Sequence, residues 1–251
     1  MILYEHPFNE SIRTMLRLEH LFERLQVLVA RDSAIDHHHA IAALFEIMDV
    51  AARADLKSDV LKDLERHKAQ LVHYRGNPAI SEAALEATIG SLERAYQALN
   101  ALPGKAGQQL TTNEWLMSIR SRISIPGGTC EFDLPAYYAW QHEDAEQRRS
   151  DLQRWAATLM PLADALATLL QLLRDSGHRH MVVANAGLYQ QSLQAGRTFQ
   201  LMRVRLPVAA RLVPEISGHR LLVSIRLMRA DAEGRLRAAI EDASFELTLC
   251  A

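Results

Sequence analysis

The sequence predicts an α+β protein, with an α-helical domain over 1–177 followed by an antiparallel β-sheet domain over 178–251. Three observations predict it. Apolar residues recur at helical spacing through roughly the first 175 residues. After Ser176-Gly177 the period changes to two. Breaks bearing Gly and Pro separate the segments on both sides of that change. At 251 residues, 49% hydrophobic and 23% charged, the chain can bury a sizeable core and is not a largely disordered one.

Between Asn9 and Ala30 the residues Ile12, Met15, Leu18, Phe22, Leu25 and Val29 trace one stripe of a helix, with Glu10, Arg13, Arg17, His20 and Arg24 on the other side. Asn9 has the side chain of an N-cap, able to accept an unpaired first-turn amide. Asp36 reads as the cap of a second helix, through His37 and Phe45 to about Ala54. A third starts at Ser58 or Asp59 and runs to Tyr74, where Arg75-Gly76-Asn77-Pro78 stops it. Ser81 opens a fourth, which ends near Leu102-Pro103-Gly104. A fifth begins near Thr112 and carries Trp115, Ile119 and Arg122. Pro126-Gly127-Gly128 is a sharp break. Two more helices are expected at Pro135–His142 and from Ala145 to Leu173, the second kinked or split by Pro161.

Beyond Gly177 the segments Met181–Tyr189, Phe199–Leu206, Leu221–Leu227 and Ser244–Leu249 read as about four strands. Alternation puts Leu221, Val223, Ile225 and Leu227 on one face and Arg226 on the other. The expected sheet buries one face and carries arginine on the second.

The net charge of −2 hides an asymmetry. From Arg174 to Arg229 there are nine Arg, no Lys and two acids, Asp175 and Glu215, so this segment carries +7 and the rest of the chain −9. A basic part on an acidic body implies an anionic partner. Arginine's planar fork pairs carboxylates bidentately, which suits recognition of an acidic peptide. Nucleic-acid binding by the Arg-rich β domain is the alternative, but only Tyr189 and Phe199 accompany the arginines and no nucleic-acid motif is present.

Other chemistry is weakly signalled. Successive helical side chains point about 100° apart, so adjacent His37, His38 and His39 do not share an ion as an i, i+4 pair does, and the run is expected at a surface helix start. There is no GxxxxGK[ST], GxGxxG, GxSxG or HExxH, so neither enzymatic activity nor a cofactor is expected. Cys130 and Cys250 lack CxxC spacing and are expected as buried free thiols in a reducing cytoplasm. No apolar run reaches the ~18 residues of a membrane span. The opening Met1-Ile-Leu-Tyr-Glu-His-Pro7 has no basic n-region of a secretory signal.

Three blocks carry a family resemblance. They are Leu3-Tyr4-Glu5-His6-Pro7-Phe8-Asn9-Glu10 with Arg13-Thr14-Met15-Leu16-Arg17-Leu18-Glu19, the run from Arg122 to Pro135 through Ile125-Pro126-Gly127-Gly128-Thr129-Cys130, and Pro214-Glu215-Ile216-Ser217-Gly218-His219. Collinear over essentially the whole length, they resemble the ZapD family (Z-ring-associated protein D, DUF1342). The resemblance implies a helical domain plus a β domain, a symmetric homodimer, and no activity or cofactor. It also implies a basic pocket for the C-terminal tail of the division protein FtsZ, so that two pockets bridge filaments at the cytoplasmic division ring. Arg17, Arg220 and Arg226 are carried over as pocket candidates. Arg203 and Arg205 join them from charge and alternation. Thr112-Asn113-Glu114 is less basic than the resemblance leads one to expect, and Leu222 stands where another basic residue would be expected.

Overall fold

The computed structural model of the chain describes residues 1–52, 56–193, 196, 198–219 and 221–251. Its contacts cluster into two units, Met1–Met15 with Leu170–Ala251, and Leu16–Leu169. Helices fill the first half and antiparallel sheets the C-terminal part, as the α+β reading requires.

Local chemistry sets the helix ends. Helix α1 (Glu10–Val29) starts where Asn9 Oδ1 accepts the Ile12 amide at 2.8 Å, and its predicted stripe is buried throughout. Helix α2 (Ala34–Ala51) is capped by Ser33, whose Oγ accepts the Ile35 amide at 3.2 Å. Asp36, expected as the cap, lies inside the first turn and pairs with Arg31 at 3.2 Å. Ser33 is the residue with extended backbone, which a cap needs and an already helical Asp36 lacks. Alanines and large apolar residues from Ala40 to Ala51 make α2 buried on most sides, the pattern of a central helix.

Helix α3 (Leu56–Val72) packs along α4 (Glu82–Ala101), which Ser81 caps through the Ala84 amide. Asn113 caps α5 (Glu114–Arg122). Pro135 opens α6 (Pro135–Gln141) at a position where its missing N–H costs nothing. The long segment after Ala145 is two helices, α7 (Ala145–Ala157) and α8 (Met160–Asp175), bent by 64° at the break. Pro161 falls in the first turn of α8, so it splits the segment as expected. Trp115, Tyr137, Trp140 and Trp155 form a ring cluster with neighbouring centroids 5.3–6.2 Å apart, joining α5, α6 and α7. Among the described residues, no single helix is long and apolar enough to cross a membrane.

The other unit is a β-sandwich. One sheet has the order β1-β4-β8-β2, from β1 (Ile2–Pro7), β4 (Leu201–Leu206), β8 (Ala243–Cys250) and β2 (His178–Ala184). The second has β3 (Leu188–Ser192), β6 (Leu222–Ala230) and β5 (Val213–His219) in the order β3-β6-β5, with β7 (Leu236–Ala238) also on β6. Met202, Val204, Leu206, Phe245, Leu247 and Leu249 from the first sheet meet Val223, Ile225 and Leu227 from the second in one core.

The β unit departs from the sequence reading in two places. Residues 2–7, inside the range expected to form the helical domain, are a strand paired in register with β4. The segment is only six residues long, does not alternate in polarity, and is followed by the strong helical stripe of α1. Met181–Tyr189, read as one strand, is two strands assigned to different sheets. A turn at Ala186-Gly187, both at positive φ (48° and 73°), separates them, as a primed two-residue turn demands. Ala186 is held there by its amide, which donates to Asp242 Oδ1 at 2.7 Å. A Cβ at Gly187 would sit 2.2 Å from Ala239 O, so only glycine fits.

Candidate functional site

Period-two alternation decides which side chains can meet a partner. Strand β4 sends Met202, Val204 and Leu206 into the sandwich core, which leaves Arg203 and Arg205 on the outer face of their sheet. Strand β6 sends Val223, Ile225 and Leu227 inward and leaves Arg226 on the outer face of the other sheet. The two outer faces of a sandwich look in opposite directions. The Arg226 strand and the strand of Arg203 and Arg205 do not pair, because β4 pairs β1 and β8 whereas β6 pairs β3, β5 and β7. Arg226 is therefore not in one cluster with Arg203 and Arg205.

The acids that sequence counting missed come from outside the basic segment. Glu5, on β1, stands opposite Arg203 in register, with Arg203 Nε 2.8 Å from Glu5 Oε1. Arg174, at the end of α8, donates to the same carboxylate from Nε at 2.9 Å and Nη2 at 2.6 Å. The three side chains keep only 15–18% of their surface exposed. That arrangement favours a structural ion triad, with the bidentate bond held by Arg174 and Arg203 meeting the same carboxylate from the second side. Glu246 faces Arg205 across the β4–β8 ladder and lies 3.4 Å from Arg179. Glu241 pairs with Arg229. A partner's carboxylates would thus meet an Arg203 face already occupied by protein carboxylate. Glu5 was legible only as a polar position in the opening segment; nothing local said that it faces Arg203.

Arg226 is different. It is exposed, and its acidic neighbour, Glu215 on β5, stands opposite it in register at 3.8 Å, the longest of the ion pairs around these arginines. Exposed pairs of this kind contribute little. Ser217 and His219 on β5 share the face. Arg220 lies outside the described residues. Arg17 belongs to the helical unit, where it is exposed on α1. Its neighbours Arg13 and Arg24 pair with Glu10 at 3.2 Å and with Glu46 at 2.7 Å.

The histidine run lies at a helix start with His39 exposed, as expected, but His37 is not at the surface. His37 is fully buried, with Nε2 donating to Arg31 O at 2.7 Å and Nδ1 accepting from Arg148 Nε at 3.0 Å. The guanidinium of Arg148 is itself buried and is otherwise satisfied by the carbonyls of Asp32, Gln141 and Glu143. Desolvation, with Arg148 and Arg149 adding repulsion, holds the His37 pKa below its ordinary value. His38 is half-buried and hydrogen-bonds Tyr137 Oη at 2.7 Å. Among the described residues, no group of three or more His, Cys, Asp or Glu could hold a metal ion. Both cysteines are free; Cys250 is buried and its thiol pushed up by desolvation, whereas Cys130 is only half-buried.

Taken together, a helical unit and a β-sandwich with exposed arginine on one outer face define an α+β protein. The family model for ZapD, described as a cell division protein, matches residues 16–226. Two curated relatives, each named "Cell division protein ZapD", come from Ralstonia nicotianae and Ralstonia pickettii. They are 54% and 53% identical over 251 residues, covering 100% of this chain and 99% of each relative. The chain belongs to the ZapD family of cell division proteins.

Proposed function

We propose that the chain is an adaptor without catalytic activity that binds the C-terminal tail of FtsZ and, as a homodimer, cross-links FtsZ filaments at the cytoplasmic division ring. The observation that carries this reading is the exposed guanidinium of Arg226 on an outer sheet face, in a chain of this family, with Glu215 only at 3.8 Å. A tail carboxylate approaching that face can form charge-assisted bonds worth roughly 1.5–3 kcal/mol each where water is excluded. We assign direct tail contact to Arg226, Arg220 and Arg17. Arg203 serves the fold through Glu5, and Arg205 shares its outer face, away from Arg226. Two-fold symmetry supplies the second pocket that bridging needs.

The test is co-sedimentation with polymerised FtsZ. The chain should pellet with full-length FtsZ and stay soluble with FtsZ lacking its last ~15 residues, the reach of an extended peptide along a surface groove. Equal pelleting with both forms overturns tail recognition. Light scattering should report a dimer at micromolar concentration, and a monomer there overturns bridging while leaving tail binding intact.

A further inference from the structure

Among the described residues strand β2 ends its sheet, in the order β1-β4-β8-β2. Its register with β8 runs one to one from His178↔Leu249 to Ala184↔Ala243, without a bulge. A terminal strand presents a row of backbone N–H and C=O groups to whatever can pair with it, and proteins normally blunt such an edge. The opposite edge of this sheet is blunted, since β1 contains Pro7 and commits Glu5 to arginine. In the second sheet, β5 contains Pro214 and Gly218. Strand β2 has no proline, glycine or acid, and all of its residues except Val182 and Ala184 are exposed.

Its composition is also divided lengthwise. His178-Arg179-His180 carry side-chain N–H donors, and Met181-Val182-Val183-Ala184 are apolar. Met181 and Val183, on the outer face, keep 64% and 48% of their surface in water. Arg179 is 54% exposed and touches Glu246 only at 3.4 Å, so its fork retains free donor positions.

We propose that β2 is a docking edge for an extended peptide that adds as a further antiparallel strand, its N-terminal half apolar and its C-terminal half acidic. In that orientation the apolar half covers Met181 and Val183, and the carboxylates meet Arg179 and the two flanking imidazoles. Backbone bonds supply affinity and the two halves supply register. A second copy of this chain fits worse, because its β2 brings no carboxylate to Arg179. The surface lies on the Arg203 sheet rather than the Arg226 sheet, so the inference does not depend on the proposed FtsZ contact.

The experiment uses the full chain and a fluorescein-labelled peptide Thr-Val-Ile-Val-Glu-Asp-Glu. Anisotropy should rise saturably, and amide hydrogen exchange should slow across 178–184. A peptide with Pro in place of the isoleucine should fail to bind, since it loses a backbone donor. The double variant Arg179→Glu, His180→Glu, with both positions exposed, should lose at least about tenfold in affinity for the acidic peptide and recover it for the Lys-Arg-Lys counterpart. The proposal is overturned by equal binding of the proline peptide, by protection centred on another strand, or by no binding at about 1 mM peptide. Concentration-dependent protection of 178–184 without peptide also overturns it, because the edge would then pair with a second copy.

Discussion

Arg148 Nε donates to His37 Nδ1 at 3.0 Å, joining α7 to the first turn of α2, and this bond dictates the state of the imidazole. Nδ1 must hold a lone pair, so the proton sits on Nε2, where it is donated to Arg31 O. A second proton would break the bond and place two cations in contact inside the helical unit.

That relationship gives the first expectation, in pH. The folded pKa of His37 is lowered, so protons bind the unfolded chain more readily. Its contribution is complete above the unfolded value near 6.5 and falls away as pH drops below it. His6, His38 and His67 are lowered chiefly by burial too and act in the same direction. Tm should fall from pH 7 to pH 5.5. In His37→Asn, whose amide oxygen can still accept from Arg148, the fall should be shallower, although stability at pH 7 drops by about 1–3 kcal/mol for the lost bond to Arg31 O. An unchanged slope in the variant would show that His37 does not titrate with unfolding.

Glu5→Gln should destabilise the β unit on the order of 2 kcal/mol. Removing one partner of a fully buried ion pair costs about 3–5 kcal/mol, and the 15–18% exposure of this triad reduces that. Arg203→Ala should likewise lower Tm. Chemical denaturation of both variants, in which neither midpoint moves, would mean that the triad is decorative.

Arg226→Ala, by contrast, should leave stability within about 0.5 kcal/mol, since the side chain is exposed and its pair with Glu215 is long. Arg226→Glu should abolish FtsZ bundling, and Arg226→Lys should retain part of it, because the charge stays and the fork goes. Wild-type binding should weaken as salt rises from about 50 to about 300 mM. Normal bundling by Arg226→Glu, together with salt-insensitive binding, would move the contact off this sheet face.

Arg17→Ala should reduce tail affinity while Tm stays nearly constant. Arg17 lies opposite the buried stripe of α1, so truncation opens no cavity, and surface changes of this kind are usually worth less than about 0.5 kcal/mol. A melting point several degrees lower would make Arg17 a structural partner instead.

Much of the architecture is a local property and was legible in the chain itself. The helical stripe of α1, the caps at Asn9 and Ser81, the split at Pro161 and the inward face of β6 all follow from periodicity or from one side chain meeting an amide three residues away. The family resemblance was legible in the same way, as runs of adjacent residues. The tertiary structure alone decided what pairs across long separations. It placed residues 2–7 beside β4, divided Met181–Tyr189 between two sheets, and set Arg203 and Arg226 on opposite faces. It brought Glu5 to Arg174, 169 residues later, and so gave an acidic partner to arginines that appeared unopposed when only neighbouring acids were counted. Strand pairing and ion pairing are set by which apolar faces close one core and by where charges then fall. Closure of that core depends on contacts between distant segments, which no local spacing encodes.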